Sequence, residues 1–255
     1  MVGAASAPGA AGPPRPADAL VIAGLVPMST VDWPDHLSAT VFTQGCPWNC
    51  FYCHNQALIP VRTPGVVAWQ EVRDLLRRRR GLLDGVVFTG GEALRQDALA
   101  DAAREVIDMG FAVGLHTAGP YPRRLHDMVE RGLVDWVGLD IKALPEHYAQ
   151  VVGRPNSAPK AWQCLQVLLE AAADGGPDFE VRTTVVPGDV TADDAVEVAR
   201  RAHEAGARVY ALQQVRARGT SGTFPVVAPG WDARCERMAA EIEAMGWERF
   251  TYRPA

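Results

Sequence analysis

The chain has 255 residues, a formal net charge of −5, and 48 % hydrophobic against 22 % charged residues. This is ordinary globular composition, with length for one large domain. It carries no basic excess of the kind a nucleic-acid surface needs, and no apolar run approaches the ~20 residues that span a bilayer, so neither nucleic acid nor membrane is an expected partner.

Residues 1–18 are rich in Ala, Gly and Pro and are expected to form a disordered leader, with residues 19–255 as a single domain. The leader lacks the charged start and continuous apolar core of a signal peptide, so the expected location is the cytoplasm. In that reducing compartment, clustered cysteines serve metals or catalysis more often than disulfides. Leu20 to Leu37 precedes the first regular strand, and its Val26 to Pro34 stretch is expected to be a small hairpin covering one end of the fold.

From residue 38 onward, short β-branched runs alternate with amphipathic segments. Ala39–Thr43 reads as a strand ending at a cysteine loop, and Ala68–Arg80 as a helix with Val72, Leu75 and Leu76 on one face. Gly85–Thr89 is a predicted strand ending in Gly90-Gly91-Glu92. Asp97–Met109 is a helix stopped by Gly110, and Phe111–His116 a strand ending in Thr117-Ala-Gly119. Pro122–Arg131 is a helix with proline in its first turn, and Trp136–Asp140 a strand ending near Lys142. Lys160–Ala173 is a helix and Phe179–Val186 a strand. Thr191 is the expected N-cap of the next helix, with Asp193 and Asp194 in its first turn. Arg208–Gln213 is a sixth strand and Trp231–Met245 a last helix. Strands alternating with helices imply parallel βαβ units, and ligands of such folds bind beyond the carboxyl ends of the strands, where every motif named here lies.

The cysteine loop is the most specific of these motifs. Cys46, Cys50 and Cys53 stand in the spacing C-x3-C-x2-C. Three thiolates at that spacing can hold three corners of a [4Fe–4S] cluster and leave the fourth iron open to another ligand. Three rivals compete. Cys50-Phe-Tyr-Cys53-His54 is a literal haem-attachment spacing, but it leaves Cys46 unexplained and no export signal accompanies it. A zinc site wants four ligands, and His54 adjoins Cys53 too closely for easy tetrahedral closure. Simple burial explains isolated cysteines such as Cys164 and Cys235, but three within one Gly- and Pro-flanked loop fit it poorly. The cluster reading also gains from Gly90-Gly91-Glu92 one strand on. Glycines allow close approach to backbone, and a carboxylate can accept from a ligand ammonium. On its own, that tripeptide reads equally well as a tight turn.

With these residues in place, the chain resembles the radical S-adenosylmethionine (radical SAM) superfamily over roughly residues 20–250. Within it the chain is similar to activating enzymes of glycyl radical enzymes, above all those of anaerobic ribonucleoside-triphosphate reductase. Val26–Pro34, Gln44–Asn55, Thr89–Glu92, Asp140–Lys142 and Val185–Gly188 carry the match. The resemblance implies an α/β fold, a partial (β/α)6 TIM-like barrel of the radical SAM type. It implies a [4Fe–4S] cluster on Cys46, Cys50 and Cys53, with S-adenosyl-L-methionine (SAM) chelating the open iron. Gly90, Gly91 and Glu92 would hold the SAM amino group, Tyr52 would place its backbone near the adenine, and Thr117 would lie near the ribose or a site-organising ion. Asp140, Lys142 and Arg182 would face the same cavity, with Lys142 and Arg182 reaching the SAM carboxylate. The implied reaction is reductive cleavage of SAM followed by removal of a hydrogen atom from a glycine of a glycyl radical enzyme, admitted through the barrel's lateral opening. The electron would come from a flavodoxin- or ferredoxin-type reductant.

The sequence departs from the family pattern in places. Ala93 stands where such activases often have proline, His116-Thr-Ala-Gly119 where pyruvate formate-lyase activases carry Asp-Thr-Asn-Gly, and Gln213-Gln214 where they carry a histidine. These departures keep two alternatives in view: a radical SAM enzyme acting on a small molecule such as a deazaguanine precursor, and a non-enzymatic zinc or electron-carrier module. The run Arg77 to Arg80 reads as a solvated helix end, with partner docking as the competing role. Trp33, Trp48 and Trp136 read as packing residues.

Overall fold

The computed structural model describes residues 16–216, 220 and 228–255. Most of the expected leader lies outside them, but its last residues enter a short 3-10 turn at Ala17–Ala19 in which Ala17 is buried.

Eight strands among the described residues form one sheet in strict chain order. They are β1 (Ile22–Ser29), β2 (Ser38–Thr43), β3 (Gly85–Gly90), β4 (Ala112–Thr117), β5 (Trp136–Asp140), β6 (Asp178–Val185), β7 (Val209–Gln214) and β8 (Arg249–Arg253). β1 runs antiparallel to β2, and every later pair is parallel. The intervening helices are α1 (Trp69–Arg78), α2 (Leu99–Asp108), α3 (Pro122–Glu130), α4 (Tyr148–Val152), α5 (Ala158–Ala173), α6 (Val190–Glu204) and α7 (Trp231–Glu243). β2 to β7 and the helices between them, α4 apart, fall where the sequence pattern places them. β1 occupies part of the expected hairpin, and β8 and α4 have no counterpart in the sequence expectations.

Each strand divides its residues between two faces, because successive side chains point opposite ways. Val41, Val86, Phe88, Val113, Leu115, Val137, Leu139 and Val181 belong to the large core that also contains Val72, Leu76, Val106, Leu125, Leu165 and Val198 of the helices. Val87 and Trp136 belong to a separate small cluster with Trp33. Trp33 stacks on Trp136 at 5.7 Å between ring centroids and on His36 at 4.3 Å. Room for its ring comes from Gly114, where a Cβ would lie 2.8 Å from Trp33. The β1–β2 connection thus folds over this face at one level. Further along the strands, the same face carries Thr89 and His116, two residues on, and Asp140, four residues on, which line a cavity.

Helix ends follow local chemistry, with one correction. Asp189, not Thr191, caps α6: its carboxylate accepts from the Thr191 N–H at 2.9 Å. The Thr191 hydroxyl instead accepts from the Val186 N–H at 3.0 Å, and Asp194 turns inward to accept from the Leu144 N–H at 2.9 Å. The Arg77 to Arg80 run sits at the end of α1, where Arg77 pairs with Asp74 at 2.7 Å. Trp33, Trp48 and Trp136 are all buried, and Trp48 also borders the cavity.

Candidate active site

The cysteine loop leaves β2 through Gly45, whose φ of +94° suits glycine. Its backbone is pinned from two sides. The Gly45 N–H donates to Leu58 O at 2.8 Å and the Cys46 N–H to Ile59 O at 3.0 Å. On the other side, the Asn49 N–H donates to Val152 O at 3.0 Å and the Phe51 N–H to Val151 O at 3.4 Å, so α4 anchors the loop. Cys50 is buried, and Cys46 and Cys53 are half-buried. All three are free thiols lining one cavity of about 920 Å³.

The end of β3 packs directly on this loop. The Gly91 N–H donates to Thr43 O at 2.8 Å and the Glu92 N–H to Gly45 O at 3.0 Å. A Cβ on Gly91 would come within 2.5 Å of Gly45 O and 2.8 Å of Leu58 O, and one on Gly90 within 2.3 Å of Thr43 N. The glycines therefore let the cysteine loop approach, and both border the cavity.

Glu92 departs from its expected place. It is 1 % exposed and does not line the cavity. Its carboxylate accepts from the Thr117 hydroxyl at 2.9 Å, the Ala118 N–H at 3.1 Å and the Leu94 N–H at 3.2 Å. With its acceptors turned to β4 and its own turn, it is not placed to receive a ligand ammonium. Burial pushes its carboxyl up to about 7, against these donors.

Tyr52, Thr117, Asp140, Lys142 and Arg182 all line the cavity, as the resemblance implies. Asp140 lies between two cations. Arg182 Nε donates to its Oδ1 at 2.9 Å, and Lys142 Nζ to its Oδ2 at 3.1 Å. The β5–β6 register makes Asp140 and Arg182 direct neighbours. Burial would raise the Asp140 carboxyl, but Lys142 and Arg182 outweigh it and hold the group at about 2. Lys142 Nζ also stands 5.4 Å from the centre of the Tyr52 ring. Two buried cations share one carboxylate, so this wall carries a surplus positive charge that suits an anionic ligand group.

The donor set fits an iron–sulfur cluster. Thiolate sulfurs are the usual ligands of such clusters, one per iron at separate corners. Among the described residues no three His, Cys, Asp or Glu side chains converge as a single metal ion requires. Burial pushes the Cys46 thiol up to about 12, with Glu92 adding to it, and the Cys50 thiol to about 11, with Lys142 opposing. Both keep their protons at neutral pH, so a metal would have to displace them.

The cavity also takes residues that sequence reasoning missed. His116 Nε2 donates to Asp32 O at 2.6 Å, and burial, with Arg182 adding to it, lowers its imidazole to about 3. With its pKa so low the ring is neutral, and Nε2 carries the hydrogen given to the carbonyl. Thr184, Gln213 and Arg216 come from the ends of β6 and β7, and Arg249, Thr251, Tyr252 and Arg253 from β8. Arg253 makes a two-pronged pair with Glu180, at 2.9 Å for both oxygens. In the sequence His116 and Gln213 stood out only as departures from the family pattern, and nothing marked the β8 residues, whose strand was not expected.

Residues 40–202 match the Radical SAM superfamily. The chain belongs to the radical SAM superfamily. A [4Fe–4S] cluster and SAM are the cofactors of that superfamily. Among its relatives, a Methanocaldococcus jannaschii protein named as a glycyl-radical enzyme activating enzyme is 27 % identical over 195 residues, covering 76 % of this chain and 79 % of the relative. A pyruvate formate-lyase-activating enzyme of Clostridium pasteurianum is 28 % identical over 166 residues, covering 63 % of this chain and 66 % of the relative. SuiB of Streptococcus suis, solved bound to S-adenosylmethionine, superposes with a TM-score of 0.60 at 8 % identity, over 83 % of this chain and 48 % of SuiB. That likeness speaks to the radical SAM fold alone. No helix among the described residues is long and apolar enough to cross a membrane.

Proposed function

We propose that this radical SAM protein is an activating enzyme that installs a radical on a glycine of a glycyl radical enzyme, of the anaerobic ribonucleotide reductase type. The observation that carries this reading is one cavity holding three free thiols, the Gly90–Gly91 backbone and the surplus-positive Asp140–Lys142–Arg182 group. The relatives named as glycyl-radical and pyruvate formate-lyase activating enzymes support the choice of substrate.

Cys46, Cys50 and Cys53 would hold the cluster, which when bound supplies the electron for reductive cleavage of SAM. Lys142 and Arg182 would receive the SAM carboxylate, the anion that offsets their surplus charge. Gly90 and Gly91 offer backbone to the amino group, with no side chain in the way, while Glu92 works at one remove by fixing the turn. Tyr52 and Thr117 border the space left for the nucleoside. The wall from β6 to β8 faces the protein substrate. A flavodoxin- or ferredoxin-type donor supplies the electron, and the reaction belongs to the cytoplasm.

The test is anaerobic reconstitution with iron and sulfide, reduction, and addition of SAM. The expected product is 5′-deoxyadenosine, together with a glycyl doublet in the electron paramagnetic resonance spectrum of an added glycyl radical enzyme. No 5′-deoxyadenosine would overturn the reaction. Its formation without the doublet in any glycyl radical enzyme would move the assignment to a small-molecule substrate.

A further inference from the structure

The cavity accounts for one side of the cysteine loop. The other side carries a set of arginines that the proposed reaction does not use. A Cβ on Gly45 would lie 3.1 Å from the Arg95 guanidinium and 3.2 Å from the Val61 Cα, which places Arg95 and the Val61–Arg62 segment against the loop just before Cys46. Just after Cys46, Arg154 Nε donates to Pro47 O at 3.0 Å. Arg124 joins the group by donating to Leu94 O at 3.0 Å and Arg95 O at 2.7 Å.

The charge balance here is one-sided. Arg124 pairs with Asp97, but Arg62, Arg95 and Arg154 have no carboxylate partner among the described residues. Arg62 and Arg154 are exposed and Arg95 is half-buried. None of the three lines the cavity. A local cationic patch therefore stands on a chain whose net charge is −5. Val61, 47 % exposed, adds an apolar spot within it.

We propose that this outer face of the cysteine loop, ringed by Arg62, Arg95 and Arg154, docks a small acidic one-electron carrier protein. The proposal rests on the cluster reading of Cys46, Cys50 and Cys53. One electron passes from the reduced carrier to the cluster, so the carrier is oxidised and the cluster reduced by one electron, and no atom or proton needs to move. Electron transfer weakens steeply with distance, and Cys46 is the ligand whose backbone these arginines flank. Electron-transfer encounters use small, weak interfaces steered by opposite charge, and arginines without carboxylate partners supply that steering. The arrangement also separates the two macromolecular partners: the glycine-bearing protein meets the cavity, and the carrier meets the back of the loop.

Reduced flavodoxin serves as the probe. Its binding to the chain before cluster loading is expected to weaken with added salt and with Arg62→Glu or Arg154→Glu, and to return with Arg62→Lys. In the loaded protein, the double charge reversal is expected to lower the second-order rate of cluster reduction by about tenfold at low ionic strength. Reduction by photoreduced 5-deazaflavin, small and uncharged, is expected to stay unchanged. A flavodoxin rate within about twofold of wild type overturns the docking face. So does an equal slowing with both donors, which would mean damage to the cluster. An Arg77→Glu, Arg78→Glu variant reverses the same charge on α1, and equal slowing there overturns it too, because net charge alone would then explain the effect. Arginine-dependent binding by a chain that fails to cleave SAM supports the docking face while overturning the proposed reaction. SAM cleavage driven by a chemical reductant, with no arginine dependence of flavodoxin, does the reverse.

Discussion

The carboxylate of Glu92 accepts the hydroxyl hydrogen of Thr117 at 2.9 Å, tying the end of β3 to the end of β4 through one buried side chain. Burial lifts this carboxyl from 4.5 to about 7. The folded protein thus keeps a proton that the unfolded chain releases. That contribution is present below pH 4.5 and lost as the pH rises through about 7. Glu92→Gln is expected to flatten the profile over this window, removing a pH-dependent difference of ~3 kcal/mol. Urea unfolding of both proteins across the window measures it, and equal profiles would refute the assignment.

Asp140→Asn leaves Lys142 and Arg182 facing each other without a carboxylate. Removing one partner of a buried ionic group costs about 3 kcal/mol. Burial would raise the Asp140 carboxyl, yet Lys142 and Arg182 hold it down at about 2 from 3.8. Its contribution is therefore complete above pH 3.8 and lost as the pH falls through about 2. The gap between wild type and variant, read by denaturant unfolding, is expected to be full at neutral pH and to close in acid.

Lys142 also acts on Cys50. Burial pushes that thiol up to about 11, and Lys142 is the largest opposing influence. Lys142→Met is expected to slow alkylation of Cys50 in the metal-free protein about tenfold at mildly alkaline pH, because only the thiolate reacts. Peptide mass spectrometry after timed iodoacetamide treatment gives the rate, and an unchanged rate would rule out the coupling.

Gly91→Ala places a methyl 2.5 Å from Gly45 O, a backbone atom that cannot swing aside. The expected cost is about 1–3 kcal/mol, with the cysteine loop displaced from β3. Iron and sulfide content after reconstitution should fall with it. Alanine at Cys164 or Cys235, both buried away from the cavity, should leave that content intact.

Arg253→Met strips Glu180, which is 1 % exposed, of its two-pronged partner. The expected loss is about 3–5 kcal/mol, seen as a lower unfolding midpoint. Glu180→Gln combined with Arg253→Met should recover part of it, since no buried charge is then left alone.

Much of the sheet was legible in the sequence because β2 to β7 are β-branched runs bounded by glycine or by polar turns. β8 was not, because Arg249-Phe-Thr-Tyr-Arg253 is half-exposed and its decisive partner, Glu180, lies in another strand. α4 is only five residues long, too short to show a helical period. The spacing of Cys46, Cys50 and Cys53 placed them at a strand end, but not the carbonyls of Val151 and Val152 that pin their loop. Glu92 shows the sharpest limit. Its position after two glycines is plain in the sequence, while the direction of its carboxylate depends on where β4 ends. Thr191 and Asp189 are both good capping residues two positions apart, and only the turn geometry decides between them.

The strict chain order of the strands sets a sequence of events during synthesis on the ribosome. The three thiols emerge early, with β2, and the glycines that seat their loop follow one helix later. The carbonyls of α4 that fasten the loop's far side come about a hundred residues after the cysteines, and Arg253 about a hundred residues later still. Until α4 is made, then, the nascent chain displays its three thiols on an unfastened loop. Loading of iron and sulfide is best timed to follow the making of α4.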